Sequence, residues 1–209
     1  SDPDLISWGG KVQTTNCTQD IVSLDQSLGN PPSTMTIYVY QPNSSCGASP
    51  NVKTSVNYEY SADLYVYTNH KDARFGLIFA ASSSTFSGST FNADGNYYLL
   101  KIKASESDPN KITSYQLQET IGGSSTTPIA ETNFATPLAP KQWNNFKVRH
   151  VGNTFTVFLN GTQLGSSASG SANWDLDRRK FGIFINVKSD NEGEPFEVFF
   201  DNVKVTELP

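Results

Sequence analysis

Short segments in which apolar and polar residues alternate recur along this chain, and this period of two is typical of half-buried β-strands. The clearest example is the segment 142–164, where three such stretches are separated by Gly152-Asn153 and Asn160-Gly161. Asn-Gly favours a type I′ hairpin turn because both residues tolerate positive φ angles. The segment is therefore predicted to be an antiparallel meander of three strands.

The same pattern predicts further strands on both sides of this meander. They span residues 34–40, 74–81, 96–103, 112–119, 180–186 and 196–205. The segment 74–81 is apolar almost throughout, which favours a central strand that is buried on both faces. Residues 52–68 form either one long strand or two strands joined by Ser61-Ala62-Asp63.

The connections between these strands differ in composition. Residues 82–95 are polar and rich in Gly, and they predict a long binding loop that presents Phe86 and Phe91 or else folds both rings onto the sheet edge. Residues 128–140 are interpreted as a crossing between two sheets. Residues 165–173 are expected to form a flexible loop.

Composition agrees with an all-β fold. The 209 residues include 12% aromatics and a single Met, and no convincing amphipathic helix is found. Residues 1–50 are the least periodic part, so we expect them to wrap irregularly around the rest. Because sandwiches of this length are commonly one unit, residues 1–209 are predicted to form a single antiparallel β-sandwich domain with two sheets.

Charge and hydropathy exclude some classes of partner. The formal net charge is -5, and Lys and Arg are not clustered, so a surface for nucleic acid is not expected. No run of 18 apolar residues is present, so membrane insertion is not expected either. The N-terminus lacks the pattern of a signal peptide, and we expect a mature form. A monomer or a module of a larger chain fits these features.

Cys17 and Cys46 lie in polar, turn-rich segments, where buried thiols would be unusual. A disulfide between them would stabilise the fold by about 3–4 kcal/mol and would indicate a secreted or cell-surface protein. The alternative is two free thiols in a cytosolic protein. The glycosylation sequons at Asn16, Asn43 and Asn160 agree with an extracellular location if the source glycosylates proteins.

Residues suited to catalysis are scarce. His70 and His150 lie at predicted turns, where ordinary surface roles are expected, and neither belongs to a nucleophile or metal motif. Two carboxylate pairs have the spacing that would place both groups on one side of a strand. Asp175 and Asp177 precede two arginines and suggest a salt-bridged turn, whereas Glu192 and Glu194 suggest a solvated hairpin tip. No catalytic pair is therefore predicted.

A structural calcium ion is a more credible cofactor than a catalytic group. Extracellular sandwiches can use such an ion to hold a terminus against a strand, with carboxylate and carbonyl oxygens as ligands. The candidate ligands are Asp201 together with Asp2 or Asp4. The alternative is that Asp201 is an exposed aspartate that protects a sheet edge from aggregation.

Strand parity separates two faces in the segment 96–103. Tyr98, Leu100 and Ile102 are predicted to face the core, and the other face, beginning at Tyr97, is predicted to be mostly solvated. The next strand presents amides on one side, and sequential strands commonly pair, so both outward sets can share a face. A ligand-binding groove is predicted from five residues: Tyr97, Lys101, Gln116, Gln118 and Trp174.

The segments Phe158-Leu159-Asn160-Gly161, Phe181-Gly182-Ile183 and Phe200-Asp201-Asn202-Val203, together with Trp143 before a strand, resemble the concanavalin A-like lectin/glucanase superfamily. The resemblance covers about residues 55–207 and is closest to its laminin G-like modules. It implies a jelly roll whose concave sheet binds glycans or, in some branches, cleaves them.

The sequence departs from the catalytic members of that superfamily. It has no Glu-x-Asp-x-x-Glu strand, as in the hydrolases, and no Gln-x-His, as in the lyases; Tyr97-Tyr98-Leu99-Leu100-Lys101 is only superficially similar to a lyase strand. The first hypothesis is therefore a secreted or cell-surface, non-catalytic module that binds polysaccharide or another glycan. The second is a structural or adhesive module that contacts proteins. The third is a polysaccharide lyase or glycoside hydrolase.

Overall fold

The structure is a computed structural model that describes residues 11–14, 17–20, 36–40, 57–68, 74–82, 86–87, 90–91, 94–108, 110–170, 180–186 and 196–208. These residues form strands and turns and contain no helix. The strands are β1 (Lys11–Thr14), β2 (Cys17–Asp20), β3 (Thr36–Tyr40), β4 (Tyr58–Thr68), β5 (Arg74–Ala81), β6 (Phe86–Ser87), β7 (Thr90–Phe91), β8 (Tyr97–Ala104), β9 (Ile112–Ile121), β10 (Ser124–Leu138), β11 (Trp143–Val151), β12 (Thr154–Leu159), β13 (Thr162–Ser169), β14 (Lys180–Asn186) and β15 (Phe196–Glu207).

Two antiparallel sheets pack face to face as a sandwich. One sheet has six strands in the order β10-β9-β8-β5-β14-β3, and the other has five in the order β13-β12-β11-β4-β15. Two small ribbons, β1-β2 and β6-β7, complete the described strands. The predicted fold class, an all-β antiparallel sandwich, is confirmed.

The core lies between the sheets and is built from the inward-facing residues of each strand. Burial alternates along β4 from Tyr58 to Val66, as expected for a strand with one face in the core. Aromatic rings pack across the interface, and Tyr98 lies 4.5 Å from Phe155 between ring centroids. The two sheets are also joined by a hydrogen bond of 2.8 Å from the Tyr60 hydroxyl to the Gly182 carbonyl oxygen.

The predicted meander is present as β11, β12 and β13, which are neighbours in the five-stranded sheet. Asn160 and Gly161 have φ angles of 50° and 81°, the positive values that a type I′ turn requires. The Asn160 side chain holds this turn against β11, because its Oδ1 accepts a hydrogen bond of 2.8 Å from the Asn145 backbone nitrogen.

The segment predicted as a doubly buried central strand is β5, which lies between β8 and β14. Every residue after Arg74 in this strand is buried, as predicted. A bulge at Ala80, whose φ is 50°, shifts the pairing with β14. The bulge places Phe79 and Ala80 in the core, while Ile78 and Ala81 belong to a second buried cluster on the outer face.

Three connections differ from the sequence predictions. The supposed crossing at 128–140 belongs mostly to β10, an edge strand that pairs with β9 through several irregularities and therefore tolerates Pro128. The supposed flexible loop begins within β13, whose residues through Ser169 pair with β12. The supposed long loop 82–95 contains the ribbon β6-β7, with Phe86 opposite Phe91. Polar composition suggested loops here, but backbone pairing at sheet edges does not require apolar side chains.

The remaining predictions on chain organisation have mixed outcomes. Residues 58–68 form one continuous strand rather than two, and the predicted strand at 34–40 is present as β3, at the edge of the six-stranded sheet. Most of the predicted wrapping segment 1–50 lies outside the described residues, so that prediction and the single-domain prediction stay predictions. Within the described ranges, no helix is both long and apolar enough to span a bilayer.

Candidate functional site

The predicted ligand-binding residues of β8 and β9 lie on one face of the six-stranded sheet. The two strands pair with Tyr97 opposite Thr120 and Lys101 opposite Gln116. Directly opposite residues of an antiparallel pair point to the same side, so Gln118, two residues from Gln116, shares this outer face. We call Lys101, Gln116, Gln118, Thr120 and Ser125 the amide surface.

Gln118 is held in place by its neighbours in the amide surface. Its Nε2 donates hydrogen bonds of 3.2 Å to the Thr120 and Ser125 hydroxyl oxygens. These two hydroxyls lie 3.0 Å apart and are themselves hydrogen bonded. The Gln118 amide nitrogen is therefore occupied by two hydrogen bonds inside the protein. The Gln118 Oε1 has no hydrogen-bond partner within the described residues.

Gln116 is the most available group of the amide surface. Its side chain is half-buried, and its amide makes no hydrogen bond within the part of the chain that the structure describes. Lys101 lies directly opposite on β8 and is also half-buried. The surface therefore offers an amide donor and acceptor next to an ammonium group, a set that can bind hydroxyl or carboxylate groups.

A charged cluster lies beyond Lys101 on the same face. The Lys103 ammonium is 2.6 Å from Glu106 Oε1 and 3.6 Å from Glu131 Oε1, and the Ser114 hydroxyl donates to Glu131 at 2.9 Å. Because these carboxylates already neutralise Lys103, that residue is a weak candidate for binding an anion.

Tyr97 does not present an open ring, which corrects the expectation that its face is mostly solvated. Tyr97 is 5% exposed and packs in a buried apolar cluster on the outer face. The other members of this cluster are Ile78, Ala81, Leu99 and Phe184. The alternation of side chains along the strand assigned Tyr97 to the correct face. Alternation does not show whether other parts of the chain cover that face. The outer face of the sheet is thus divided into a buried apolar part and the amide surface, which is at least partly exposed except at Thr120, a residue that is 1% exposed.

Several predicted residues cannot be assigned to a site. Trp174, Asp2, Asp4 and Cys46 lie outside the described residues, as do both candidate carboxylate pairs and His70. Only the backbone of Cys17 is described, in β2. The disulfide therefore stays a prediction.

Asp201 is exposed at a bulge of β15, where its Oδ1 accepts a 2.6 Å hydrogen bond from the Asn202 backbone nitrogen. Among the described residues, no group of three or more His, Cys, Asp and Glu side chains could hold a metal ion. The calcium site with Asp2 or Asp4 stays a prediction, because both partners lie outside those residues.

His150 does not have the surface position that its turn-like sequence suggested. Its ring is 2% exposed and stacks on Phe155 at 4.6 Å and near Tyr58 at 5.1 Å. Side chains alternate along β11, and His150 lies on the inward-facing side, on which Phe146 and Val148 are also buried. The ring is an element of the core and is separated by the six-stranded sheet from the amide surface.

A buried carboxyl group was also missed by sequence reasoning. Glu119 alternates with Gln118 and therefore points to the inner face, where its Oε1 accepts a hydrogen bond from the Tyr98 hydroxyl. Strand parity relative to Gln116 and Gln118 was the signal that could have placed it there. Its position on the opposite side of the sheet keeps it out of the amide surface.

Comparison with models of protein families and with curated protein sequences gives no match. Solved structures with a similar fold do exist. An alginate lyase from Pseudomonas aeruginosa has a TM-score of 0.53 and 12% identity, over 95% of this chain and 86% of that chain. A functionally unknown protein from Saccharomyces cerevisiae has a TM-score of 0.52 and 8% identity, over 97% and 98%. Carbohydrate binding module CBM66 from Bacillus subtilis has a TM-score of 0.50 and 12% identity, over 94% and 91%. These similarities identify the fold as a jelly-roll sandwich.

Proposed function

We propose that this chain is a non-catalytic carbohydrate-binding module of a secreted or cell-surface protein, and that it binds polysaccharide through the amide surface. The main support for this proposal is the Gln116 amide. It is half-buried, has no hydrogen-bond partner within the described residues and lies opposite Lys101. The Gln116 amide, which can donate and accept, and the Gln118 amide oxygen, which can accept, suit the hydroxyl groups of a sugar.

The composition of the amide surface favours neutral or mildly anionic sugars. Gln118 keeps an acceptor oxygen available while its nitrogen is fixed by Thr120 and Ser125. Lys101 adds a positive charge that suits a sugar carboxylate. One protein of the same fold is named a carbohydrate binding module and another an alginate lyase, and both names support this class of ligand.

A structural or adhesive module is the second candidate. The burial of Tyr97 favours it, because a sugar-binding face usually offers an aromatic ring on which the apolar side of a pyranose packs, and Tyr97 is not available for this. We also propose that Trp174 contributes to ligand binding at the amide surface. A Trp174→Ala variant, titrated with the same ligand, tests this.

The experiment is a screen of soluble polysaccharides, with calcium and with chelator, followed by titration of the best ligand. The double variant Gln116→Ala/Gln118→Ala is expected to bind about 10- to 30-fold more weakly, because each lost hydrogen bond contributes about 1 kcal/mol. Gln163→Ala is the matched control, since Gln163 is an exposed glutamine on the opposite sheet. It should bind as tightly as the wild type.

Two outcomes would contradict the proposal. If no polysaccharide binds, the adhesive module becomes the better interpretation. If a polysaccharide binds equally well to the double variant and to the wild type, the amide surface is not the site. Binding that disappears with chelator would support the calcium prediction, which can then be tested with Asp201→Asn.

A further inference from the structure

The outer face of the five-stranded sheet is organised in rows that run across the strands. β4 and β11 pair with Trp143 opposite Tyr65 and Asn145 opposite Asp63. The burial pattern places the four side chains on the face that points away from the core. An aromatic row is therefore followed, two residues along each strand and about 7 Å away, by a row of hydrogen-bonding groups.

The aromatic row is accessible. Trp143 is 40% exposed, one of three large apolar residues within the described part of the chain that are this open. Its ring centroid lies 5.5 Å from that of Tyr65, with a tilt of 53°. The two rings pack against each other, and the Trp143 side chain stays partly open to solvent.

The polar row is fixed in position by its own hydrogen bonds. The Asn145 Nδ2 donates to Asp63 Oδ1 at 2.6 Å, and the Asn202 Nδ2 donates to Asp63 Oδ2 at 2.7 Å. Each carboxylate oxygen can accept further hydrogen bonds. The Oδ1 atoms of Asn145 and Asn202 have no hydrogen-bond partner within the described residues. The row thus offers carboxylate and amide oxygens as acceptors, and each amide keeps a second N–H that can donate.

The next rows along the strands hold one carboxylate and two cations. Glu59 accepts from Arg149 Nε at 2.7 Å and from Lys147 Nζ at 3.2 Å. Both cations also lie over the Phe158 ring, at 4.8 Å for Lys147 and 5.3 Å for Arg149. Glu59 therefore offsets one of the two positive charges, and the second stays close to its carboxylate and to the Phe158 ring rather than beside Asp63.

We propose that Trp143, Tyr65, Asp63, Asn145 and Asn202, the aromatic surface, form a second carbohydrate site that binds neutral hexopyranose residues. The apolar side of one pyranose packs on the Trp143 indole, an aromatic group suited to partners with one apolar and one polar side. Its hydroxyls donate to the Asp63 carboxylate and to the two amide oxygens. A uronic acid is disfavoured because its carboxylate would face the Asp63 carboxylate. The site lies on the opposite sheet, so it does not depend on the amide surface.

The test titrates the full chain with neutral hexaoses of glucose, mannose and galactose, and with an oligogalacturonate as the anionic probe. We expect at least one hexose oligomer to bind and the galacturonate not to bind at this surface. Trp143→Ala should weaken that binding by at least about 30-fold, as expected for the central aromatic of a binding site. Val151→Ala is the matched control, because Val151 is 46% exposed on the same strand and face but eight residues away, and it should bind as the wild type does.

A second measurement separates the two sites. On titration, the indole N–H resonance of Trp143 should shift in the Gln116→Ala/Gln118→Ala protein as it does in the wild type. If neutral hexaoses bind but neither this resonance nor the Trp143→Ala affinity changes, the aromatic surface is not a sugar site. If no hexaose moves this resonance and Trp143→Ala instead abolishes self-association, the surface is a protein interface and the proposal is wrong. Both results are independent of whether the amide surface binds polysaccharide.

Discussion

At the scale of single residues, a buried phenol group connects the two halves of the sandwich. The Tyr60 hydroxyl donates to the Gly182 carbonyl oxygen at 2.8 Å, and its ring is fully buried between the sheets. Burial raises the pKa of Tyr60, and burial together with the nearby Tyr98 raises the pKa of Tyr58. These tyrosines therefore contribute to stability only while they stay protonated.

Removal of one hydroxyl tests the hydrogen bond between the sheets. Tyr60→Phe should lower the free energy of unfolding by about 1 kcal/mol, because the Gly182 carbonyl loses a buried donor while the packing of the ring is kept. Urea denaturation of the variant and the wild type at pH 7 measures this difference. An unchanged midpoint would show that this hydrogen bond adds nothing to stability.

The raised pKa values also predict how the fold responds to alkali. Because the folded pKa lies above the ordinary value of 10.0, the contribution of Tyr58 and Tyr60 is complete below about pH 10 and is lost as the pH rises further. We expect the last tyrosinate absorbance to appear together with the loss of circular dichroism above pH 10. Ionisation of all nine tyrosines in a chain with unchanged dichroism would contradict this.

Residue positions could be predicted from the sequence only in part. Alternation along β8 and β9 correctly placed Lys101, Gln116 and Gln118 on one face. The same alternation could not show that Tyr97 is covered, because burial on an outer face depends on distant parts of the chain. For His150, the adjacent turn suggested exposure, but the inward parity of β11 decided its position.

At the scale of elements, the hairpins are the most predictable feature and the edge strands are the least. Asn160-Gly161 encodes its turn locally through two positive φ angles. The pairing of β10 with β9 is interrupted by bulges, and most of its residues are exposed, so no periodic pattern marks it as a strand. The aromatic surface was also missed, although Trp143 and Asn145 alternate, because it required the register between β4 and β11.

The pairing of β5 with β8 depends on one glycine. Gly76 has a φ of 149°, and a Cβ atom at this position would overlap the Leu100 carbonyl oxygen. Gly76→Ala should therefore destabilise the fold by several kcal/mol or prevent folding, since neither backbone can move without breaking a central pair. Gly161→Ala is the control, because no atom lies within 4 Å of its Cβ position and only turn strain is expected. Equal thermal stability of Gly76→Ala and the wild type would contradict this reasoning.

An ion network ties β4 to β11. Partial burial alone would raise the pKa of Glu59, but hydrogen bonds and charges from Arg149 and Lys147 lower it below its ordinary value of 4.5. The stabilisation is therefore present above about pH 4.5 and is lost as the pH falls through the lowered pKa. Glu59→Gln should cost about 1 kcal/mol at pH 7 and less at pH 3, as measured by urea denaturation.

Glu106→Gln provides the comparison for this network, because Glu106 pairs with Lys103 but is 70% exposed. Its effect on the free energy of unfolding should be close to zero at both pH values. If Glu59→Gln shows the same loss at pH 3 as at pH 7, the stabilisation does not come from the ionised carboxylate.

At the scale of the whole molecule, the two proposed sites lie on opposite outer faces of the sandwich. One polysaccharide chain cannot easily contact both faces, so two occupied sites would join separate chains. We expect the wild type to increase light scattering in a solution of a neutral polysaccharide that it binds. Trp143→Ala and Gln116→Ala/Gln118→Ala should each bind without cross-linking. Undiminished scattering with either variant would show that a single surface accounts for cross-linking.

Polysaccharide binding at the amide surface can be observed through the side-chain amide resonances of Gln116 and Gln118 during titration with the best ligand of the screen. Both pairs of resonances are expected to shift with the same dissociation constant as the overall binding, whereas the Gln163 amide should not move. Saturated binding with unchanged Gln116 and Gln118 resonances would show that the polysaccharide binds elsewhere.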